Sequence, residues 1–256
     1  MSRKTINLFT LFISVFILIS LACTGSQSNL TSTPQPTSTI IATSTNTPRP
    51  SPTLRPTFTP DIAATQHVND LFAEVQNYYD KGYLTTTEGR IVEFGDFSYD
   101  WAQLGSYKLV RLQRTASDFV LSAHFKWNAA LKNSGTAGCG FVFGLQPNDD
   151  HYAVFLDRSK IYFRIRNLEL GYSTSVEPTR VRGKVKFDYP AEADFALIVQ
   201  NGHAYVLVNG QVVSEYALLE GRPLQGDLGL GVLAGTNKDF GTHCEISHLH
   251  LWTPGE

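Results

Sequence analysis

The sequence predicts an all-β domain, an antiparallel sandwich or barrel, preceded by one amphipathic α-helix and a disordered linker. Apolar and polar residues alternate with period two over Ser117–Trp127, as in a half-buried strand. Asn-Gly pairs at 201–202 and 209–210 separate further alternating segments, which is typical of type I′ hairpins because both central residues need positive φ. No helical period follows Gly82. We therefore expect about ten to twelve short strands with tight turns.

The first 22 residues have the layout of a signal peptide. A positive start containing Arg3 and Lys4 is followed by the apolar segment Leu8–Leu21, small Ala22 and then Cys23. This order resembles the lipobox of bacterial lipoproteins. The resemblance implies that Cys23 is lipidated, becomes the mature N-terminus and anchors an exported protein at the cell surface. The alternatives are a plain cleaved signal or an uncleaved anchor, although the apolar run is shorter than the about 20 residues that span a bilayer.

Residues 23–60 read as a disordered spacer. They are rich in Thr, Ser and Pro, and no Asp or Glu occurs before Asp61. Burying so little apolar surface would not offset the entropy lost on ordering the chain. Proline favours an extended conformation. We interpret this segment either as a spacer that holds a domain away from a membrane or as an ordinary low-complexity linker.

Residues 61–82 predict the amphipathic helix. Pro60 and Asp61 suit its start and Gly82 suits its end. Six apolar residues have the spacing of one helical face: Val68, Leu71, Phe72, Val75, Tyr78 and Tyr79. Either the helix packs on the following domain or it self-associates as a stalk. Two heptads are too few to indicate a coiled coil, so we favour packing.

Residues 83–256 are enough for one domain with a sizeable core. If Cys23 carries lipid, Cys139 and Cys244 remain as an even pair in an oxidising compartment, which predicts one disulfide between them. The alternative is two separate buried thiols. The net charge of −2 gives no field that would favour nucleic acid.

The order of motifs after residue 90 resembles the concanavalin A-like jelly roll, within the group that holds laminin-G-like modules and keto-disaccharide hydrolase (DUF1080-type) domains. The segments that carry the resemblance are 118–125, 138–143, 148–155, 199–213, 226–231 and 246–252. The resemblance implies a jelly-roll sandwich of two curved sheets with one concave face, and frequent carbohydrate binding. It does not imply one activity, because function depends on a site.

No catalytic motif is evident in the sequence. Glycosidases of this fold carry Glu-x-Asp-x-Glu on one strand, which places the two carboxyls on one side. The nearest string here is Glu192-Ala-Asp194-Phe-Ala196, with alanine in the third position. Serine-hydrolase elbows, phosphate loops and His-Glu-x-x-His motifs are also missing from the sequence. Non-catalytic recognition is therefore favoured over a keto-disaccharide-type hydrolase or a structural, protein-interaction module.

Two groups of residues are weak candidates for metal binding. Hard oxygen ligands in a loop suit calcium, and no other cofactor is expected; the candidates are Asn148, Asp149, Asp150 and Asp157. Asn-Asp-Asp is equally ordinary turn chemistry. A histidine site is the second possibility, against the simpler interpretation of surface histidines on a strand; its members are His248 and His250 with His243 or His124.

The best candidate for ligand binding is a basic, aromatic sheet face. Tyr162, Arg164 and Arg166 alternate along one predicted strand, and His124 and Lys126 do so along another. If these strands are neighbours, their polar sides form one patch, where rings stack on sugars and arginine forks pair with carboxylate or sulfate. The alternative is a solvated sheet face with charges against aggregation.

The sequence thus predicts a lipid-anchored, monomeric ectodomain whose partner is a glycan or another cell-surface polymer. Trp101 and Tyr107, near the first strand, fit either the rim of such a site or the core.

Overall fold

The structure is a computed structural model that describes residues 62–132, 134, 136–168 and 171–255. The predicted signal peptide 1–22, Cys23 and the spacer up to residue 60 lie outside the described residues. Within the described ranges, no helix is both long enough and apolar enough to cross a membrane.

One helix and 14 strands make up the described chain. The helix α1 spans Ile62–Asp80. The strands are β1 Gly89–Glu93, β2 Phe97–Trp101, β3 Tyr107–Ala116, β4 Phe119–Ala129, β5 Gly138–Leu145, β6 His151–Asp157, β7 Ile161–Asn167, β8 Tyr172–Ser175, β9 Arg180–Val181, β10 Ala191–Gln200, β11 His203–Val208, β12 Gln211–Ala217, β13 Gly226–Leu233 and β14 Thr242–Pro254.

The strands form two antiparallel sheets, as the predicted sandwich requires. The eight-stranded sheet has the order β1-β14-β4-β10-β11-β12-β9, and β2 also pairs with β14. The six-stranded sheet has the order β3-β13-β5-β6-β7-β8. The two Asn-Gly hairpins are confirmed, since φ is 50° and 75° at 201–202 and 50° and 73° at 209–210.

Alternate side chains of both sheets meet in one core. On β4 the predicted inward face is confirmed: Phe119, Leu121, Ala123, Phe125 and Trp127 belong to the core. Rings from the two sheets pack directly at its centre. Phe141 of β5 stacks on Phe195 of β10 with centroids 5.2 Å apart. Trp101 packs against the same core.

A disulfide joins the two sheets, in agreement with the cysteine pairing predicted from the sequence. It links Cys139 of β5 to Cys244 of β14, with Cα atoms 6.0 Å apart. Both residues are fully buried. The bond spans a sequence separation of 105 residues. Closing a loop of that size stabilises the fold by roughly 4–5 kcal/mol in the chain-entropy model.

Helix α1 packs on the outer face of the eight-stranded sheet. Its buried stripe is Leu71, Val75 and Tyr78. Val75 and Tyr78 contact sheet residues that include Val120 and Trp252. The six-residue face expected from the sequence is too wide, because Val68, Phe72 and Tyr79 are 41–45% exposed. A helix touches a flat sheet along a narrow line, so apolar residues on its flanks stay in solvent.

Candidate functional site

The outer face of the six-stranded sheet brings together three of the residues predicted for binding. Tyr162, Arg164 and Arg166 alternate with Phe163 and Ile165, which point into the core. They therefore stand on the outside, opposite Phe155, Ala153 and His151 of β6, in that order. Helix α1, the only helix in the described ranges, packs on the other sheet. It therefore does not cover this face, where Phe155 and Ala153 are buried by neighbouring side chains and not by a helix.

Glycines form the floor of this face. Gly229 and Gly231 of β13 lie beside β5, where Gly140 stands opposite Gly231. A Cβ on Gly231 would collide with the ring of Phe155, and one on Gly140 would collide with the backbone of β6. Without side chains in the middle, the ring of Phe155 lies low across the sheet. The floor is therefore flat and apolar, with aromatic rings at close range.

Tyrosines flank this floor on both sides. The ring of Tyr107 lies 5.1 Å from that of Phe155, centroid to centroid. Tyr162 packs against the same apolar cluster from β7, and the ammonium of Lys160 sits 4.4 Å from its ring centroid. Tyr162 and Lys160 also border a cavity of about 460 Å³ at the sheet edge. Both tyrosines are only partly buried, so part of each ring is accessible to solvent.

A buried histidine orients the hydroxyl of Tyr107. His151 is 2% exposed, and its Nδ1–H donates to the carbonyl of Asp149 over 2.6 Å. Burial lowers the pKa of His151 below its usual value, and the nearby Arg166 and Arg222 act in the same direction. The imidazole is therefore neutral, and its Nε2 accepts from the Tyr107 hydroxyl. Tyr107 and His151 are thus held in one orientation.

The arginines on this face differ in their partners. Arg111 is neutralised by Asp227 at 2.7 Å and by Asp149 at 3.0 Å. Within the described residues, Arg164 and Arg166 form no ion pair. The Nε–H of Arg164 is shielded from solvent and has no acceptor there. We call the set Tyr107, His151, Tyr162, Arg164 and Arg166 the basic face.

His124 and Lys126 do not belong to the basic face, contrary to the single patch expected from the sequence. They lie on β4 of the eight-stranded sheet, whereas Arg164 lies on β7 of the six-stranded sheet. Each is paired with a carboxylate of β10. His124 Nδ1 is 2.8 Å from Asp194, and Lys126 Nζ is 3.7 Å from Glu192. The prediction failed because strand order depends on long-range pairing that alternation within one strand does not report.

A second polar pocket, of about 320 Å³, lies between α1 and the eight-stranded sheet. Ser122, His250 and Glu74 meet there, the residue types of a hydrolytic triad. However, His250 Nε2 is 3.0 Å from Glu74 and its Nδ1 is 3.0 Å from the His248 carbonyl. With both ring nitrogens engaged, His250 has none left to accept a proton from Ser122. In this arrangement the pocket does not activate a nucleophile.

The calcium candidates do not converge on one site. Asp149 and Asp150 precede β6, whereas Asp157 ends it, about 20 Å away at 3.3 Å per residue. Asp150 accepts from the backbone of Leu168, and buried Asp157 accepts from the Tyr189 hydroxyl. No group of three or more potential metal ligands occurs in the described ranges. The loop at 148–150 is explained by turn hydrogen bonding, including Asp150 N–H to the Asn148 side chain.

Two members of the basic face were not predicted as binding residues. The sequence is compatible with Tyr107 in the rim or in the core, and the structure places it on the outer face beside Phe155. His151 lies within segment 148–155, which indicates the fold, and His151 itself carries no binding prediction. The glycines at 138, 140, 229 and 231 were the available signal. Glycine inside a strand marks a close approach of another group, here the rings that cross the floor.

Comparisons with known proteins do not assign a family. No family model and no curated protein matches the chain. Among solved structures, the carbohydrate-binding module CBM66 from Bacillus subtilis has a TM-score of 0.44 at 8% identity, over 64% of this chain and 95% of the module. A β-fructofuranosidase from Aspergillus kawachii has a TM-score of 0.42 at 16% identity.

The similarity to the A. kawachii β-fructofuranosidase covers 68% of this chain and 29% of the enzyme, so this chain spans under a third of that protein. The binding domain of botulinum neurotoxin serotype D has a TM-score of 0.42 at 10% identity, over 66% of this chain and 43% of that one. Similarities of this size say nothing about a ligand.

Proposed function

We propose that this protein is a membrane-anchored, exported lipoprotein whose β-sandwich binds a glycan or another surface polymer without catalysis. The observation that carries the proposal is the basic face, where accessible tyrosine rings adjoin two arginines with no carboxylate partner among the described residues. Aromatic rings stack on the C–H faces of sugars, and guanidinium groups form directed hydrogen bonds with hydroxyl, carboxylate or sulfate oxygens.

The anchoring part of the proposal rests on the sequence. Cys23 follows an apolar run that suits export, and the Thr/Pro-rich spacer gives the domain reach. At about 3.1 Å per residue in an extended conformation, residues 24–60 would span on the order of 100 Å. That distance is enough to present a small domain beyond a membrane surface.

A panel of immobilised polysaccharides tests the binding part. We expect the full-length chain, purified in an uncharged detergent, to bind at least one polysaccharide without releasing reducing ends. Tyr162→Ala should weaken that binding, because the ring supplies stacking area. Tyr79→Ala, the same change at an exposed tyrosine of α1 on the far side of the sandwich, is the matched control and should leave binding unchanged.

The same panel distinguishes the alternatives. Release of reducing ends would favour a carbohydrate-active hydrolase of the keto-disaccharide type. If no polysaccharide is either bound or cleaved, the glycan proposal is wrong and a structural or protein-interaction role is favoured.

A further inference from the structure

Two arginines of the basic face, Arg164 and Arg166, have no carboxylate partner within the part of the chain that the structure describes. Arg111 already has two carboxylate partners, Asp149 and Asp227. Arg164 and Arg166 have none among the described residues, and Arg222 adds a third cation nearby. Its Nη2 donates to the carbonyl of Arg166 over 2.6 Å. Asp149 lies near this cluster but is paired with Arg111, so the remaining guanidinium groups still produce a positive local potential that attracts anions.

Arg164 also has an unused hydrogen-bond donor. Its Nε–H is shielded from water and meets no acceptor in the described structure. Leaving a buried donor unsatisfied is unfavourable, and such groups in native proteins call for an explanation. An oxyanion lying against the guanidinium would supply the missing acceptor after a small movement of the side chain.

Arg166 lies against a prearranged hydroxyl. Its guanidinium is close enough to Tyr107 to lower the pKa of that phenol, although burial is the larger influence and raises it overall. The Tyr107 proton is committed to His151, so the phenol oxygen faces Arg166 as an acceptor. His151 is thus a positioning residue. It orients Tyr107, and Tyr107 in turn restrains Arg166 without neutralising its charge.

We propose that the basic face recognises the negatively charged group of an acidic glycan, a sugar carboxylate or a sulfate ester. Arg164 and Arg166 bind the oxyanion, and the ring of Tyr162 stacks on the sugar that carries it. Alternate residues along a strand lie about 7 Å apart, so the three side chains can contact one sugar and its neighbour. Planar guanidinium forks match the geometry of both anions. This inference rests on the proposed function and names the ligand class for the same site.

The test uses pairs of polymers that differ only in charge. Polygalacturonate is compared with its fully methyl-esterified form, and dextran sulfate is compared with dextran, by titration against the full-length chain in uncharged detergent. We expect at least one anionic polymer to bind 10-fold or more tightly than its neutral counterpart, and we expect added salt to weaken it. The anionic polymer that binds more tightly than its neutral counterpart shows whether carboxylate or sulfate is the preferred anion.

Three variants assign the effect to the basic face. R164Q and R166Q should each weaken binding of the anionic polymer about 10-fold, and R164K, which keeps the charge without the fork, should lose part of the affinity. R90Q is the matched control. Arg90 is an exposed arginine on β1 of the other sheet, so the same change in net charge should leave binding unaltered. Circular dichroism and thermal melting confirm that each variant is folded.

Several outcomes would overturn the inference. An equal loss in R90Q and R164Q would mean general charge attraction and not a site. Equal binding of charged and neutral polymers, with sensitivity to Tyr162→Ala but not to R164Q, would refute the anion receptor while leaving the glycan function intact. No binding of any polysaccharide would refute both.

Discussion

At the scale of single residues, His250 is the most informative group outside the basic face. Its two ring nitrogens face two acceptors, the Glu74 carboxylate and the His248 carbonyl. Only an imidazolium donates to both at once. Burial by itself would lower the pKa of His250, but the hydrogen bond and charge of Glu74 raise it above its usual value. Glu93 adds a smaller attraction of the same sign.

Glu74 is shifted in the complementary direction. Burial by itself would raise the pKa of Glu74, but hydrogen bonds from His250, Tyr78 and Ser122 hold it below the usual value. The pair is therefore charged on both sides between the lowered pKa of Glu74 and the raised pKa of His250, and it ties α1 to the eight-stranded sheet. Its contribution is lost as the pH rises through the raised pKa of His250. It is also lost as the pH falls through the lowered pKa of Glu74.

The variant Glu74→Gln tests this pairing. A neutral amide still accepts a hydrogen bond but no longer stabilises the imidazolium, so we expect the free energy of unfolding to fall by about 1–3 kcal/mol at pH 6. The loss should shrink as the pH rises through the raised pKa of His250, above which the wild-type pair has no charge on the histidine side. Thermal melting of both proteins at pH 6, 7.5 and 9 measures the difference. A penalty that does not change with pH would contradict the ion pair.

At the scale of elements, α1 behaves as an addition to the sandwich and not as part of its core. Its buried stripe is short, and most of its surface is exposed. Val75 is 2% exposed against the sheet, whereas Phe72, three residues earlier, is 41% exposed. The two residues therefore make a matched pair for testing the docking of the helix.

We expect Val75→Ala to destabilise docking by about 2 kcal/mol, because two buried methyl groups and their packing are lost. Phe72→Ala should have little effect, although it removes a larger side chain. Hydrogen exchange of the helix amides is the measurement, since it reports local opening without requiring the sandwich to unfold. Equal acceleration in both variants would show that the helix docks by another surface.

The strands show which elements local sequence specifies. The Asn-Gly hairpins were predicted because their φ requirement is a property of two adjacent residues. The short strands β1, β2, β8 and β9 were not individually predicted, because two to five residues give no clear period. They are held by pairing with partners far away in the chain, such as Gly89 with Pro254.

The candidate site shows the same limit. Alternation placed Tyr162, Arg164 and Arg166 on one face, which the structure bears out on β7. Which strands surround β7 is decided by sheet order, so the sequence joined Arg164 to His124 and missed Tyr107. Tyr107 of β3 reaches His151 of β6 across the glycine floor. This contact forms only when β3, β13, β5 and β6 lie side by side in the sheet, which no single segment of sequence shows.

At the scale of the whole molecule, lipid anchoring remains a prediction, and Cys23 provides its test. In a bacterial host with lipoprotein processing, we expect the wild-type chain to incorporate labelled palmitate and to partition into detergent. Cys23→Ala should lose the label, because the thiol that carries the lipid is removed, and the label is the deciding readout because an uncleaved apolar segment also partitions into detergent. Thr24→Ala, which alters the next residue and keeps the thiol, is the control. Labelling of the Cys23→Ala protein would contradict the lipobox interpretation.

The position of α1 decides how a mechanical load would enter the molecule. The chain reaches the sandwich through this helix, which lies on the side away from the basic face. Tension applied from the N-terminal side would act on α1 before any strand and would detach the helix from the eight-stranded sheet. Stretching its 19 residues from about 1.5 to about 3.4 Å each releases roughly 35 Å of slack. The two sheets, which are cross-linked by Cys139 and Cys244, would stay folded meanwhile. The helix would therefore be the first element to unfold under load.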